Sequence, residues 1–208
     1  MLSVQTILAF FGVSLLLGIT PGPDNVFVLL QSASHGRKAG QLVVLGLCTG
    51  LVVHTLAVAL GLAAVFAASE LAFVVLKYVG AAYLVYLAWQ AWRAPVSDAS
   101  AELVRSLPAR SLYARGVLMN LTNPKVVLFF LAFLPQFVDP ARGGIAGQIC
   151  QLGLIFIVAT LLSFGAISYF AATLGQRLRG SVRAQRLMSR VTAGVFAGLA
   201  LRLVTAAR

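Results

Sequence analysis

The chain is poor in charge, and in acids above all. Only 10% of its 208 residues are charged, and five Asp and Glu stand against 16 Lys and Arg. An ordinary soluble domain carries about a quarter charged residues, so that class does not fit. The stretches 2–22, 39–69 and 143–176 contain no Asp, Glu, Lys or Arg. Each reaches the roughly 20 apolar residues that cross a hydrocarbon core. Cysteine is almost as scarce. Cys48 and Cys150 stand alone in apolar runs with no CxxC, which supports neither a dithiol centre nor a thiolate metal site. Both read as small buried hydrophobes. The two histidines, His35 and His54, lack metal-ligand spacing. Nothing resembles a nucleophile–base arrangement. No catalytic residue, metal or cofactor is therefore expected, and the chain is not read as an enzyme.

What is present is hydrophobic sequence, 60% of the chain, with a mean hydropathy of +0.95. Six spans are expected, at 4–31, 40–67, 71–92, 114–138, 146–174 and 188–205. The protein is thus an all-α, polytopic membrane protein whose first partner is the lipid bilayer. The N-terminus has no basic region before its apolar run, so the first segment is expected to stay as a helix rather than leave as a signal peptide.

The net charge of +11 belongs to the loops. Arg37 and Lys38 lie between spans one and two. Arg93, Arg105, Arg110 and Arg115 lie between three and four, and Arg177, Arg179, Arg183, Arg186 and Arg190 between five and six. Arg142, Arg202 and Arg208 fall on the other side. Basic short loops stay in the cytoplasm, so both termini are expected outside. Nucleic acid is not implied, because no soluble domain presents a basic face.

The segment 93–113, with Pro95, Asp98 and Pro108, reads as a cytoplasmic linker. It divides a single transmembrane domain, 1–208, into three-helix halves at 1–92 and 114–208. Halves with an odd number of spans enter the membrane in opposite directions, which is the inverted-repeat plan of many transporters.

The first span of each half is interrupted. Span one reads Thr20-Pro21-Gly22-Pro23-Asp24-Asn25, and span four reads Asn120-Leu121-Thr122-Asn123-Pro124-Lys125. Proline removes a donor and clashes with the preceding turn, so both helices should break here. Irregular backbone at membrane depth must be buried in protein or line a wet cavity. Asp24 lies eleven residues before His35 and Lys125 ten after Arg115. At ~1.5 Å per residue both sit about 15 Å deep, near the centre of a ~30 Å core. Ionised groups there are expensive unless paired. Pairing Asp24 with Lys125 offsets much of that cost. Such a pair either staples the halves together or lines a substrate path, where an amino-acid zwitterion would compete for both partners. Thr20, Asn25, Asn120, Thr122 and Asn123 flank the breaks as a polar cluster.

Gly46-x-x-x-Gly50-x-x-x-His54 puts three positions on one face of span two, a close-approach seam that His54 continues. His54 is either a packing residue or a proton handler. Lys77, inside span three, either snorkels outward or turns toward Asp24. Tyr83, Tyr86, Trp89 and Trp92 resemble an interfacial belt. Gly194 and Gly198 form a second seam, for internal packing or a homodimer.

Taken together, Pro21-Gly22-Pro23, Gly46-x-x-x-Gly50-x-x-x-His54, Lys77-Tyr78-Val79-Gly80-Ala81-Ala82-Tyr83-Leu84, Asn120-Leu121-Thr122-Asn123-Pro124-Lys125 and Leu134-Pro135-Gln136-Phe137 resemble the LysE/RhtB family of amino-acid exporters. The likeness runs along nearly the whole chain in the family's order. It implies efflux of amino acids or their derivatives from a bacterial inner membrane, driven by protons. The RhtB-like branch looks nearer, because one deep acid offers few counter-charges to a strongly cationic substrate. The expected path residues are Pro21, Gly22, Pro23, Asp24, Asn25, His54, Lys77, Asn120, Asn123, Pro124 and Lys125. The rival readings are a membrane redox or metal-handling protein, which needs clustered thiols or His and Asp, and a scaffold, which needs no deep charges.

Overall fold

The structure, a computed structural model, describes residues 2–20, 22–68, 70–93 and 107–178, with nine further positions between 190 and 205. Some side chains on these elements, that of Lys77 among them, lie outside the described set. Among the described residues every regular element is helical. The order is α1 (Val4–Ile19), α2 (Pro23–His35), α3 (Arg37–Ala68), α4 (Glu70–Arg93), α5 (Ala109–Thr122), α6 (Pro124–Leu128) and α7 (Ile145–Leu178). The all-α, polytopic expectation therefore holds. The expected sixth span falls largely outside the described residues, as do Pro21 and most of the segment 93–113.

The long helices α3 and α7 contain the segments Arg37–Gly61 and Ile145–Ala172, each long and apolar enough to cross a membrane. Two bent pairs qualify as well when each is taken as one span. α1 and α2 meet at 64°, and α5 meets the segment beginning at Pro124 at 49°. Both interruptions fall at the expected prolines. The outward faces carry bare apolar side chains, such as Val4 at 70% and Leu60 at 78% exposure. Surfaces this apolar suit a lipid solvent.

Inside, α3 and α7 pack against each other, α3 against α5, and α7 against α1 and α2. Small residues permit these approaches. A Cβ on Gly46 would strike the Tyr113 carbonyl and come within 2.9 Å of Gly116 Cα, and one on Gly50 would sit 2.6 Å from Asn120 Oδ1. The Gly46–Gly50–His54 face therefore lies along α5, as its spacing predicts. On the other side, a Cβ on Gly18 would strike the Ser163 hydroxyl of α7.

Beyond Pro124 the chain leaves α-helical geometry a second time. A π-helical turn covers Phe129–Phe133, and a 3₁₀ turn covers Leu134–Phe137. Pro135 cannot donate to the Leu131 carbonyl one turn back, which accounts for the change of winding. The wide turn aims Phe129, Phe130 and Phe133 inward. With Phe10, Phe137 and Phe156 they build an aromatic core, its ring centroids 4.9–6.4 Å apart. The following loop is fastened by buried Gln148, which accepts from the Asp139 N–H and donates to the Asp139 and Gly143 carbonyls.

The cysteine reading needs one correction. Cys48 is buried, but Cys150 is exposed on α7. An apolar run in a membrane helix does not distinguish the protein-facing from the lipid-facing side of that helix.

Candidate functional site

The first break shows what its prolines take away. In an unbroken helix the Leu17 carbonyl would accept from residue 21 and the Ile19 carbonyl from residue 23. Both positions are proline, so neither donor exists. The Lys125 ammonium, arriving from the other half of the chain, fills part of this deficit. Its Nζ lies 3.4 Å from the Leu17 carbonyl and 3.2 Å from that of Thr20. It also lies 3.4 Å from Asn25 Oδ1 and 3.5 Å from Asp24 Oδ1. The Asn25 amide donates to the Gly18 carbonyl at 2.7 Å. One lysine thus caps the C-terminal end of α1, where helix carbonyls concentrate negative charge.

Asp24 stands in the first turn of α2, where the helix dipole favours an anion. Its Oδ1 accepts the Asn25 N–H at 3.0 Å. Gly22 gives the pair room: a Cβ there would lie 2.6 Å from Asp24 Oδ1 and 3.2 Å from Lys125 Nζ.

The second break is assembled differently. Pro124 starts α6, and Asn123 caps it by accepting the Lys125 N–H at 3.0 Å. Proline at a first helical position costs nothing, since that N–H has no partner within the helix. Pro124 also deprives the Asn120 carbonyl of its usual donor. That oxygen accepts the Asn123 N–H at 3.1 Å and lies 3.3 Å from His54 Nε2. Because the partner is a carbonyl, Nε2 must carry the proton. The imidazole also lies against Phe130, ring centroids 5.5 Å apart.

All the central polar residues are deeply buried: Asp24 is 3% exposed, Asn25 4%, Asn120 3%, Asn123 3% and Lys125 5%. Two of their atoms, Asn120 Oδ1 and Asn123 Nδ2, have no hydrogen-bond partner among the described residues. Such orphans are rare inside proteins and invite a ligand or a water. A cavity of about 10 Å³ opens between Asp24, Lys125, Asn120, Gly18, Leu47 and Thr160. That is room for about one water, far below the ~300–1,000 Å³ of ordinary ligand pockets. The conformation is closed. Phe156 and Phe164 line the cavity, and Ser32 of α2 donates to Ser168 of α7 at 3.0 Å.

The structure brings together Gly22, Pro23, Asp24, Asn25, Asn120, Asn123, Pro124 and Lys125, with His54 attached through the Asn120 carbonyl. It does not bring in Thr122, which is exposed and donates back to the Leu118 carbonyl at 2.8 Å. Pro21 lies outside the described residues. Lys77 lies on α4, with its side chain outside them. Sequence reasoning missed Leu17 and Gly18, whose carbonyls do the work, and Thr160 of α7. The rule that proline frees the carbonyl four residues back signals Leu17. Nothing local signals Thr160. Among the described residues no group of three His, Cys, Asp or Glu is placed to hold a metal.

A bundle of apolar helices, two of them broken at buried opposite charges, has the architecture of a membrane transporter rather than of an enzyme. The chain matches the family described as LysE type translocator over residues 15–207, and it belongs to that family. It is 34% identical over 180 residues to the homoserine/homoserine lactone efflux protein of Salmonella typhi, covering 86% of this chain and 85% of the relative. It is 36% identical over 200 residues to a membrane protein of Pseudomonas aeruginosa, covering 90% and 89% of the two chains. A membrane protein of Vibrio cholerae is 31% identical over 205 residues, 99% of each. No solved structure matches the chain.

Proposed function

We propose that this chain exports amino acids or amino-acid derivatives across a bacterial inner membrane, and that Asp24 and Lys125 form the substrate site. The observation that carries the reading is the buried pair itself, 3.5 Å apart and contributed by two different broken helices. The Salmonella typhi relative, a homoserine/homoserine lactone efflux protein, supports the direction and the substrate class. Neutral or weakly charged substrates fit best, since Asp24 is the acid at the pair.

The break lies between helices of about 24 Å and 20 Å, from ~1.5 Å per residue over 16 and 13 residues. That is close to half-way through the bilayer. The packing supports an inverted repeat of two three-helix halves, 1–92 and 114–208, joined by 93–113. α3 packs on α5 while α7 packs on α1. Each long helix therefore holds the leading half-helix of the opposite half. The charge of the loops puts both termini outside. A scheme follows. The zwitterion's ammonium takes the place of Lys125 beside Asp24, and its carboxylate takes Lys125. With the two breaks uncoupled, the site opens to the other face. Release to the outside, driven by the proton gradient, completes the cycle. The seam at Gly194 and Gly198, both exposed, offers a homodimer contact.

The test is amino-acid transport in proteoliposomes under an imposed pH gradient, with wild type, Asp24→Asn and Lys125→Gln. Gradient-dependent flux by wild type and none by either folded variant is the expected result. Normal flux by both variants would leave the pair a structural staple.

A further inference from the structure

We propose that the oxygen cluster around Lys125 Nζ is a receptor for a primary ammonium group. Lys125 occupies it in the closed conformation and the substrate's own amine occupies it during transport, so that substrates are selected by their amine and not by their carboxylate. This rests on the reading of Asp24 and Lys125 as the substrate site, and adds which part of the substrate that site recognises.

The donors and acceptors do not balance. A lysine ammonium has three N–H donors and no acceptor. Four oxygens surround this one, from Leu17, Thr20, Asp24 and Asn25, at 3.2–3.5 Å. Charge-assisted N–H···O contacts usually close to about 2.7–2.9 Å. The seat is therefore complete for an ammonium in chemistry and loose in fit. Three N–H donors cannot close on four oxygens at once, so the seat offers acceptors to spare for any primary ammonium that enters it. A fifth acceptor, the unpartnered Asn120 Oδ1, belongs to a residue lining the same cavity as Asp24 and Lys125.

Among the described residues the carboxylate has less provision, one unpartnered donor at Asn123 Nδ2. The cation at the cavity is Lys125 itself, and it becomes available only after the amine has displaced it. An ester, amide or lactone carbonyl can accept from that freed ammonium as well. Masking the carboxylate should then cost little, and masking the amine should cost nearly everything. Trimethylation keeps the positive charge but removes all three donors, so a betaine separates hydrogen bonding from charge.

The experiment is competition against export of a transported amino acid by the full chain in proteoliposomes. The competitors are its methyl ester, its N-acetyl derivative and its N,N,N-trimethyl derivative. The ester is expected to compete within about tenfold of the parent, the scale of one lost hydrogen bond. The N-acetyl and trimethyl compounds are expected to be weaker by about 100-fold or more, since they leave buried acceptors unpaired. Equal competition by the N-acetyl compound, or by the betaine, overturns the proposal. If no amino acid is transported at all, the exporter reading fails separately, and the receptor is judged on Lys125→Ala in detergent. Ethylammonium chloride should raise the melting temperature of that variant by several degrees over choline chloride at equal ionic strength, and raise that of wild type less, because Lys125 competes for the seat there. An equal response to both salts overturns the receptor.

Discussion

The two breaks answer the same chemical problem in opposite ways. At the second, the carbonyl freed by Pro124 is satisfied by its own neighbour, the Asn123 N–H, with His54 of α3 only as a further partner. Asn123 also caps the helix that follows. At the first, the carbonyls of Leu17 and Thr20 depend on Lys125, an ammonium borrowed from the other half of the chain. The second break is thus a self-capped platform, and the first is held shut by a removable group. In the proposed scheme the first break is the part that moves, and Lys125 is what releases it.

That asymmetry can be broken most forcefully at Lys125. Lys125→Met leaves Asp24 and two carbonyls buried without their cation. Loss of one partner from a buried pair costs about 3–5 kcal/mol. Thermal unfolding in detergent should show a much lower melting temperature, and transport should be absent. Asp24→Asn should cost less, because a neutral amide still accepts from Lys125 and the Asn25 N–H. The double variant Asp24→Asn, Lys125→Met should then be more stable than the sum of the singles by about 0.5–3 kcal/mol, the coupling expected of residues in contact. Strict additivity would contradict the pair.

Next comes Gly22→Ala, whose methyl would press on both charges. Overpacking of this kind costs about 1–3 kcal/mol, and export should fall with it. Gly12→Ala is the control. Nothing lies within 4 Å of its Cβ position, and alanine in a helix interior gains up to about 1 kcal/mol over glycine. The smallest effect should be at the platform. His54→Phe removes one donor from a carbonyl that keeps another, a loss of about 1 kcal/mol, and leaves most of the export. Abolition of export by His54→Phe with the fold intact would give that histidine a role in proton movement and overturn the comparison.

Much of this was legible in the sequence because proline chemistry and bilayer thickness are local rules. Pro23 and Pro124 fixed where the helices break, and counting from Arg115 and His35 placed Lys125 and Asp24 at one depth. The Gly46–Gly50–His54 face followed from helical period. Facing was not legible. Cys150 and Thr122 lie on outward surfaces, though their neighbours in sequence are as apolar or as polar as those of buried residues. The oxygens of Leu17 and Thr20 are backbone atoms, and only the first is signalled by a side-chain type, the proline four residues on. The π-helical turn at Phe129–Phe133 also escaped, because its cause, Pro135, reads equally well as the end of a span.

The most direct test of the central claim is a distance, measured by solid-state NMR in lipid bilayers. With ¹⁵N on the lysine Nζ and ¹³C on the aspartate carboxyl, Asp24→Asn assigns the signal. The account predicts a close dipolar contact between Lys125 and Asp24 in substrate-free protein that weakens when a transported amino acid is added. Either no contact in the substrate-free protein, or a contact that saturating substrate leaves unchanged, would contradict it.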